Sequence, residues 1–381
     1  MHNQKTDVIV VGAGPVGLTA AIGLAQAGIK IVIVDALAEA ENTSRAAVIH
    51  SATLDCLTEV GITGRLIDQG IKAPNFRVRD RSSILLHANF ERLHASSPFA
   101  LMIPQDETEA IMLDRLEQLG QSVQRRVRFT AMEEKQDCIL ATFEGPEGAF
   151  NLSAKYLVGA DGEGSTVRTA RAIDFPGKSH GSFLLADVRM NWPIANDEVS
   201  LFFSSAGTLV VAPMSRGRHR IVAQMPNAPP MPTVGDVQRL VDERGPGVPV
   251  RIDEILWGSR FQVHHRLASR FRDGRVLLIG DAAHVHSPAG GQGMNLGLRD
   301  AVALSAALPK AIATPSAPEL DKFARERREA AAKVLTMTDR LTKIATMASP
   351  HTRSLRNHII GTLGRLPPVR SYVAETLAGF R

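Results

Sequence analysis

A glycine-rich turn near the start of the chain lies between an apolar β-branched run and an Ala- and Leu-rich segment. Residues 6–11 are typical of a buried parallel strand, and residues 18–27 are predicted to form a helix. The G-x-G-x-x-G spacing between them permits a tight turn, close approach of a diphosphate and close packing of helix on strand. The helix N-terminus offers free amides and its positive dipole end to phosphates. The residues expected at the phosphates are Gly12, Gly14, Pro15, Val16 and Gly17.

An acidic residue closes the second predicted strand of this unit. Residues 31–34 are apolar, and Asp35 and Ala36 follow them. Asp35 is placed to accept hydrogen bonds from ribose hydroxyls, and its charge would repel a 2′-phosphate. The strand–helix–strand unit therefore predicts a dinucleotide site that disfavours NADP. By itself the unit does not distinguish FAD from NAD.

Two downstream stretches each contain a buried strand that runs into a turn of glycine and aspartate. The first, at residues 156–168, reads YLVGADGEGSTVR. The second, at residues 275–295, reads RVLLIGDAAHVHSPAGGQGMN and continues into a predicted helix. Together with the first turn, these stretches form an ordered set of three motifs.

The set resembles that of the class A flavoprotein monooxygenases, the family of the para-hydroxybenzoate and phenol hydroxylases. The matching motifs fall within residues 1–170 and 270–345. The family resemblance implies that the dinucleotide is FAD and that it is retained through turnover. No second dinucleotide motif is seen, so no standing NAD(P)H domain is expected. The resemblance implies that NADH or NADPH binds transiently as the reductant.

The resemblance also assigns residues to the cofactor. Asp281 would bind the ribityl chain, and residues 291–295 would lie along the isoalloxazine ring, where a helix N-terminus stabilises negative charge. Pro288 would lie beside the reactive edge of the flavin. The remaining assignments are Arg45 (phosphate and ribose region), Gln105 (ribityl chain), Asp161 and Gly162 (flavin, with a link to the nicotinamide cofactor), and Gly280, Gly291, Gly293, Met294 and Asn295.

The activity implied by the resemblance is hydroxylation of an aromatic, phenolic or polyketide-like substrate by O2 and NAD(P)H through a flavin C4a-hydroperoxide. Such an enzyme must exclude water from the reacting flavin. A flavin-dependent reductase or desaturase on the same scaffold is the main alternative. A non-catalytic member that binds flavin or a lipid-like ligand is a third possibility.

The pattern of apolar and polar residues changes between the second and third motifs. Short alternating runs at residues 198–203, 208–212 and 218–224 predict antiparallel strands. We therefore expect an α/β fold: a Rossmann-like FAD-binding domain with an inserted, mainly antiparallel β-sheet substrate domain and C-terminal helices. The expected boundaries are residues 1–74, 100–175 and 271–345 for the FAD-binding domain, 75–99 and 176–270 for the substrate domain, and 346–381 for a helical tail.

Candidate catalytic groups are fewer than candidate cofactor ligands. Some relatives use a tyrosine of the substrate domain as a base, but the two tyrosines here, Tyr156 and Tyr372, lie outside the insertion. We expect His286, two residues before Pro288, to be the best candidate base. The other histidines considered are His219, His264 and His265. The residues proposed to line the substrate pocket are Phe202, Met214, Arg216 and Met225.

Composition excludes several other classes of protein. The net charge of +5 is spread along the chain, which does not predict a nucleic-acid site. Two cysteines make neither a disulfide framework nor a metal cluster. We expect no signal peptide, no transmembrane segment, a cytoplasmic location, and a monomer or homodimer. The short stretch after the last predicted long helix also predicts that the thioredoxin-like domain of larger relatives is lacking.

Overall fold

A computed structural model describes most of the chain. The described residues are 4–39, 46–204, 206–225, 227–287, 290–314, 317–345 and 350–380. Arg45 and Pro288, two residues assigned to the cofactor, lie outside these ranges.

The described residues form strands and helices in nearly equal measure along the chain. The strands are β1 (Gln4–Val11), β2 (Ile31–Asp35), β3 (Val48–Ile49), β4 (Ile71–Ala73), β5 (Asn75–Asp80), β6 (Ser83–Asn89), β7 (Ala100–Met102), β8 (Val123–Arg125), β9 (Arg128–Glu134), β10 (Ile139–Gly145), β11 (Gly148–Gly159), β12 (Gly177–Asn191), β13 (Glu198–Ser204), β14 (Gly207–Met214), β15 (Arg218–Gln224), β16 (Arg251–Leu267), β17 (Arg272–Asp273), β18 (Val276–Leu278) and β19 (His284–Val285). The helices are α1 (Pro15–Gln26), α2 (Ser51–Leu57), α3 (Thr63–Gln69), α4 (Gln105–Gln118), α5 (Thr166–Ala170), α6 (Val234–Arg244), α7 (Gln292–Ala313), α8 (Pro318–Ala345), α9 (Pro350–Leu363) and α10 (Pro367–Leu377).

The first sheet contains the strands that precede the glycine-rich motifs. Its order is β17-β18-β11-β1-β2-β8, with β10 and β9 continuing from β11. The pairs β1–β11, β1–β2, β11–β18 and β2–β8 are parallel. Val8 and Val10 pack into one hydrophobic core, and Ile9 and Val11 pack into another on the opposite face. Burial on both faces explains why this strand is apolar throughout.

The second sheet is long and mainly antiparallel. Its order is β19-β16-β12-β15-β14-β13-β5-β6, and the β5–β13 pair is parallel. Strands from residues 75–89 and from residues 177–267 therefore share one sheet. The domain boundaries themselves stay a prediction.

A small third sheet and the last two helices complete the described structure. The order of the small sheet is β3-β7-β4. Helices α9 and α10 contact β6 at one edge of the second sheet, where Leu377 and Ala374 share a core with Leu86. None of the described helices combines the length and the apolar character needed to cross a membrane.

The α/β fold class predicted from the sequence is confirmed, while several element bounds differ from expectation. The sequence of residues 45–61 predicts one helix, but α2 begins only at Ser51, and a 3₁₀ turn follows it at Thr58–Val60. The preceding β3 is extended because Val48 and Ile49 pair with β7. The 15-residue β12 and the 17-residue β16, which pair with each other, were not predicted.

Candidate cofactor site

The three glycines of the first turn occupy three different environments. Gly12 has a φ of +102°, and a Cβ there would lie 2.3 Å from the Ala160 carbonyl oxygen. A Cβ on Gly17 would lie 1.9 Å from the Gly12 carbonyl oxygen, so helix and strand pack too closely for any side chain. A Cβ on Gly14 would meet nothing within 4 Å. The turn is therefore closed on two sides and open at the second glycine.

Helix α1 begins at this open side. Gly14 is its N-cap and supplies no side-chain hydrogen bond, and no acidic residue occupies the first turn. The N-terminal amides of α1 thus lack a side-chain cap, which is the arrangement that accepts a phosphate. The open space at Gly14 and these amides fit the diphosphate of FAD.

Asp35 ties the glycine-rich turn to the end of β2. Its carboxylate accepts hydrogen bonds from the backbone amides of Ala13, at 2.6 Å, and Leu37, at 2.8 Å. Arg125 lies 3.8 Å away. Two oxygens of a carboxylate can accept about four hydrogen bonds, so capacity remains for a ribose hydroxyl. That contact, and the role of the exposed Ala36 beside it, stay predictions.

The third motif lies against the first. β18 ends beside β11, which lies beside β1, so all three motifs begin at the carboxyl ends of neighbouring parallel strands. Gly280 has a φ of +61°, and a Cβ there would lie 3.0 Å from Val16. Asp281 follows with an exposed side chain. In open α/β sheets this edge is where ligands bind.

Asp161 in the second motif caps a short helix. Its carboxylate accepts hydrogen bonds from Ser165 Oγ at 2.6 Å and from the backbone amide of Thr166 at 2.8 Å, at the start of α5. Gly162, with a φ of +77°, makes the turn between Asp161 and that helix. These contacts give the Asp–Gly pair a structural role, and its predicted contact with flavin stays a prediction.

Arg168 links the second motif to the third. The guanidinium donates to the carbonyl oxygens of Ala282, at 2.9 Å, and Glu163, at 2.7 Å, and it stacks over the Phe175 ring. The sequence motif contained Arg168, but no role for it could be assigned from the sequence. The structure shows that it holds the turn after β18 against the Asp–Gly loop.

Asn295 holds the first turn of α7 and the two residues before it, a segment that we call the flavin loop after its predicted ligand (the described residues 290–295). Its Oδ1 accepts from the His50 amide at 2.7 Å, and its Nδ2 donates to the carbonyl oxygens of Val48, at 2.9 Å, and Gly291, at 2.8 Å. Gly291 is the N-cap of α7 with a φ of +64°. A Cβ there would lie 2.3 Å from Val48 Cγ1. The loop is thus packed directly on the junction of β3 and α2.

His50 makes a second contact with the same loop. Its Nε2 lies 2.7 Å from the Gly290 carbonyl oxygen, so Nε2 carries the proton. Burial lowers the pKa of His50 to about 4, which keeps the ring neutral at pH 7. Sequence reasoning missed His50, because one histidine after a short apolar run carries no motif.

His286, the candidate base, is buried beside the start of α7. Its Nδ1 lies 3.1 Å from the Ser287 carbonyl oxygen, and Nε2 has no hydrogen-bond partner among the described residues. A Cβ on Gly293 would lie 3.8 Å from the imidazole, whose pKa is lowered to about 4, first by burial and then by His284. His286 therefore presents one unpaired acceptor atom in a neutral ring. Its catalytic role stays a prediction.

A buried ionic network lies under the third motif. Asp300 on α7 contacts His284 Nε2 at 2.6 Å, Arg327 Nε at 2.6 Å and the Gly280 amide at 3.3 Å. Burial opposes ionisation of Asp300, but the charges and hydrogen bonds of His284 and Arg327 outweigh it and lower the pKa. The network fixes the turn that carries Asp281. The sequence signal for this network was the charged Asp300 within the mostly apolar segment that forms α7.

Gln105 opens α4 and bridges two neighbours. Its Nε2 donates to Glu109 Oε1 at 2.8 Å, and its Oε1 accepts from the Ala46 amide at 3.3 Å. Burial raises the pKa of Glu109. Gln105 thus holds the chain that leads toward β3, and its contact with a ribityl chain stays a prediction.

The four residues proposed for the substrate pocket are not brought together in one cluster. Phe202 is fully buried, and Met225 packs against the same core. Met214 lies in a different core, with Met102. Arg216 is exposed in the turn between β14 and β15, with a φ of +62°. Their roles toward a substrate stay predictions.

Fold and site together define the class of FAD-binding flavoproteins. The chain matches the family described as "FAD binding domain" over residues 5–338. It belongs to that family, within the class A FAD-dependent aromatic hydroxylases, and is a flavoprotein monooxygenase.

Individual relatives agree with this membership. The chain is 35% identical over 387 residues to an uncharacterized aromatic compound monooxygenase of Bacillus subtilis, covering 98% of this chain and 75% of that one. It is 35% identical over 399 residues to a 12-dehydrotetracycline 5-monooxygenase/anhydrotetracycline 6-monooxygenase of Streptomyces rimosus, covering 98% and 76%. The solved p-nitrophenol 4-monooxygenase of Pseudomonas putida shares the fold, with a TM-score of 0.86, 24% identity, and coverage of 99% and 100%.

Proposed function

We propose that the enzyme uses NAD(P)H and O2 to hydroxylate a phenolic or polyketide-like aromatic substrate, by the C4a-oxygen chemistry that the family resemblance implies. One oxygen atom enters the aromatic C–H bond as a hydroxyl group, and the other leaves as water while NAD(P)H is oxidised to NAD(P)⁺. The observation that carries the proposal is the set of three motifs meeting at one sheet edge. The named activity of the S. rimosus relative supports a multi-ring substrate.

Bound FAD would supply the redox chemistry, and the chain's own residues would orient and shield it. The amides at the start of α7 belong to the flavin loop, where a helix N-terminus favours negative charge. Asn295 and His50 hold that loop in place. A rigid loop that excluded water would limit the loss of oxygen as peroxide.

His286 would act toward the substrate as a hydrogen-bond acceptor. Its unpaired Nε2 is buried, and its pKa of about 4 leaves the lone pair free at pH 7. Such an atom can orient a substrate hydroxyl by accepting its hydrogen bond. The need for NAD(P)H as a reductant fits a cytoplasmic location. We also propose that the enzyme is a monomer or a homodimer.

The test is a single-turnover experiment with the FAD-loaded protein. The flavin is reduced anaerobically with NADH or NADPH in the presence of a panel of phenols and anhydrotetracycline, and ¹⁸O2 is then admitted. We expect one ¹⁸O atom in the product of a coupled substrate, detected by mass spectrometry. A product that forms equally well without O2 would instead identify a reductase or desaturase.

A further inference from the structure

A cavity of about 470 Å³ lies between β6, the turn that follows it and α10. Two guanidinium groups, those of Arg92 and Arg370, line it together with the imidazoles of His87 and His94. Its size suits a small organic molecule of one or two rings. None of these residues belongs to the three cofactor motifs.

The positive charge of this pocket is poorly neutralised. Arg92 is exposed and forms no ion pair with any described residue. Arg370 Nε donates to the Gly364 carbonyl oxygen at 2.6 Å rather than to a carboxylate. Glu375 is the acidic residue in the lining. The pKa of His87 is lowered, first by burial and then by nearby arginines that include Arg370 and Arg92, so the charge of these two guanidinium groups reaches the imidazole.

Apolar side chains also line the pocket: those of Leu93, Pro367, Ala374 and Phe380. A planar guanidinium pairs with a carboxylate through two parallel hydrogen bonds, and apolar side chains favour a ring over a hydrated inorganic ion. The lining therefore combines cationic groups with apolar ones.

We propose that this pocket is a binding site for an aromatic carboxylate. The carboxylate pairs with Arg92 and Arg370, and the ring packs on Leu93 and Phe380. The site lies outside the flavin chemistry, so it stands whether or not the proposed hydroxylation is correct.

The end of α10 joins the pocket to the flavin loop, because the lining residues Ala374 and Phe380 flank Leu377 and Gly379 in the chain. The Leu377 carbonyl oxygen accepts from Gln292 Nε2 at 3.2 Å, and the Gly379 carbonyl oxygen accepts from Arg299 at 2.7 Å. The same turn of chain therefore lies between α7 and the ligand. A bound carboxylate is in a position to change the environment of the flavin.

Isothermal titration of the FAD-loaded protein with benzoate, 1-naphthoate, benzamide and inorganic phosphate tests the proposal. We expect saturable binding of the two carboxylates, and about tenfold weaker binding of the neutral benzamide, because a charge-assisted pair is lost. Arg92→Gln should weaken benzoate binding about tenfold. Arg325→Gln, which removes the same charge from an exposed position on α8, should leave it unchanged.

Four results would overturn the proposal. Equal affinity for benzoate and benzamide would show that the carboxylate is not recognised. Phosphate binding as tight as that of benzoate would indicate a general anion site that does not recognise the aromatic ring. Carboxylate binding that survives Arg92→Gln would show that the pocket is not the site, and so would the absence of any saturable binding.

Discussion

The side-chain oxygen of Asn295 accepts a hydrogen bond from the backbone amide of His50 at 2.7 Å, and the His50 ring returns a bond to the loop that precedes Asn295. The two residues lie 245 positions apart in sequence. These two hydrogen bonds join the junction of β3 and α2 to the start of α7. The conformation of that loop therefore depends on both ends of the FAD-binding fold.

Asn295→Ala should lower both FAD affinity and stability. The substitution removes three hydrogen bonds, one with the buried amide of His50 and two with the part-buried carbonyl oxygens of Val48 and Gly291, at a cost of about 1–3 kcal/mol. We expect the unfolding midpoint in urea to fall and FAD to dissociate about tenfold more readily. Asn151→Ala, on the exposed face of β11, is the matched control and should change neither. Unaltered FAD affinity in Asn295→Ala would contradict a role for this residue in holding the loop.

His50→Phe and His50→Gln should differ. Phe fills the buried site but cannot donate to the Gly290 carbonyl oxygen, whereas Gln retains a donor. We expect His50→Phe to lose FAD on gel filtration and His50→Gln to keep most of it. Because the His50 ring is neutral at pH 7, the two variants carry the same charge as the wild type. Equal FAD loss in both would point to ring packing rather than to the hydrogen bond.

Gly14→Val should abolish FAD retention and preserve the fold. A Cβ at Gly14 meets no atom of the protein within 4 Å, so the side chain enters only the space assigned to the diphosphate. Circular dichroism should be unchanged while the bound flavin absorbance is lost. Gly64→Val, at another helical position with nothing within 4 Å, is the control and should retain FAD. Normal flavin content in Gly14→Val would contradict the diphosphate site.

Acid should destabilise the protein between about pH 6.5 and pH 4. His50, His219 and His286 each have a pKa lowered to about 4 by burial, so the unfolded chain takes up their protons first. Above pH 6.5, the pKa of histidine in the unfolded chain, these rings are neutral in both states and do not affect stability. As the pH falls from 6.5 toward 4, each ring lowers the free energy of unfolding by about 1.4 kcal/mol per pH unit. Urea unfolding at pH 7, 6 and 5 measures the slope, which His219→Gln should reduce by about one third. A flat profile from pH 7 to pH 5 would refute the burial of these rings.

Asp300→Asn should be strongly destabilising. Loss of the carboxylate charge leaves Arg327 without its anionic partner and weakens the hydrogen bond to His284. Removing one partner of a buried ion pair lowers the free energy of unfolding by about 3–5 kcal/mol. Asp321→Asn removes a carboxylate with 69% side-chain exposure from its pair with Arg272 and should cost less than about 1 kcal/mol. Thermal unfolding of the two variants compares them directly.

The glycine turns could be predicted from sequence because they are local requirements of the backbone. At Gly12, Gly17 and Gly280 a Cβ atom would lie too close to neighbouring atoms, so the position of each glycine in its motif is itself the sequence signal. The strand that precedes each turn is equally local, since burial on both faces gives a continuous apolar run. The fold class followed from these turns and from the alternating runs between the second and third motifs.

The contacts around the flavin loop could not be predicted in the same way. Asn295 was assigned to the cofactor, yet its side chain bonds the protein backbone at Val48 and His50, which only the packing of α7 on β3 brings close. The candidate pocket residues were chosen for chemical type, and neighbouring strands place Phe202 and Met214 in separate cores. Side-chain partnership across a fold depends on register and packing, which no single stretch of sequence encodes.

The parallel pairing of β1 with β11 constrains when the first sheet can form. Gln4 lies opposite Leu152, so the strand before the first glycine turn cannot pair fully until a distant part of the chain has been made and has folded back. Long-range parallel pairing of this kind slows folding, because the entropy of loop closure is lost before the stabilising contacts form. The three motifs meet only in the closed sheet, so FAD bound there would stabilise that sheet by mass action. We therefore expect the supply of cofactor during synthesis to raise the yield of folded enzyme.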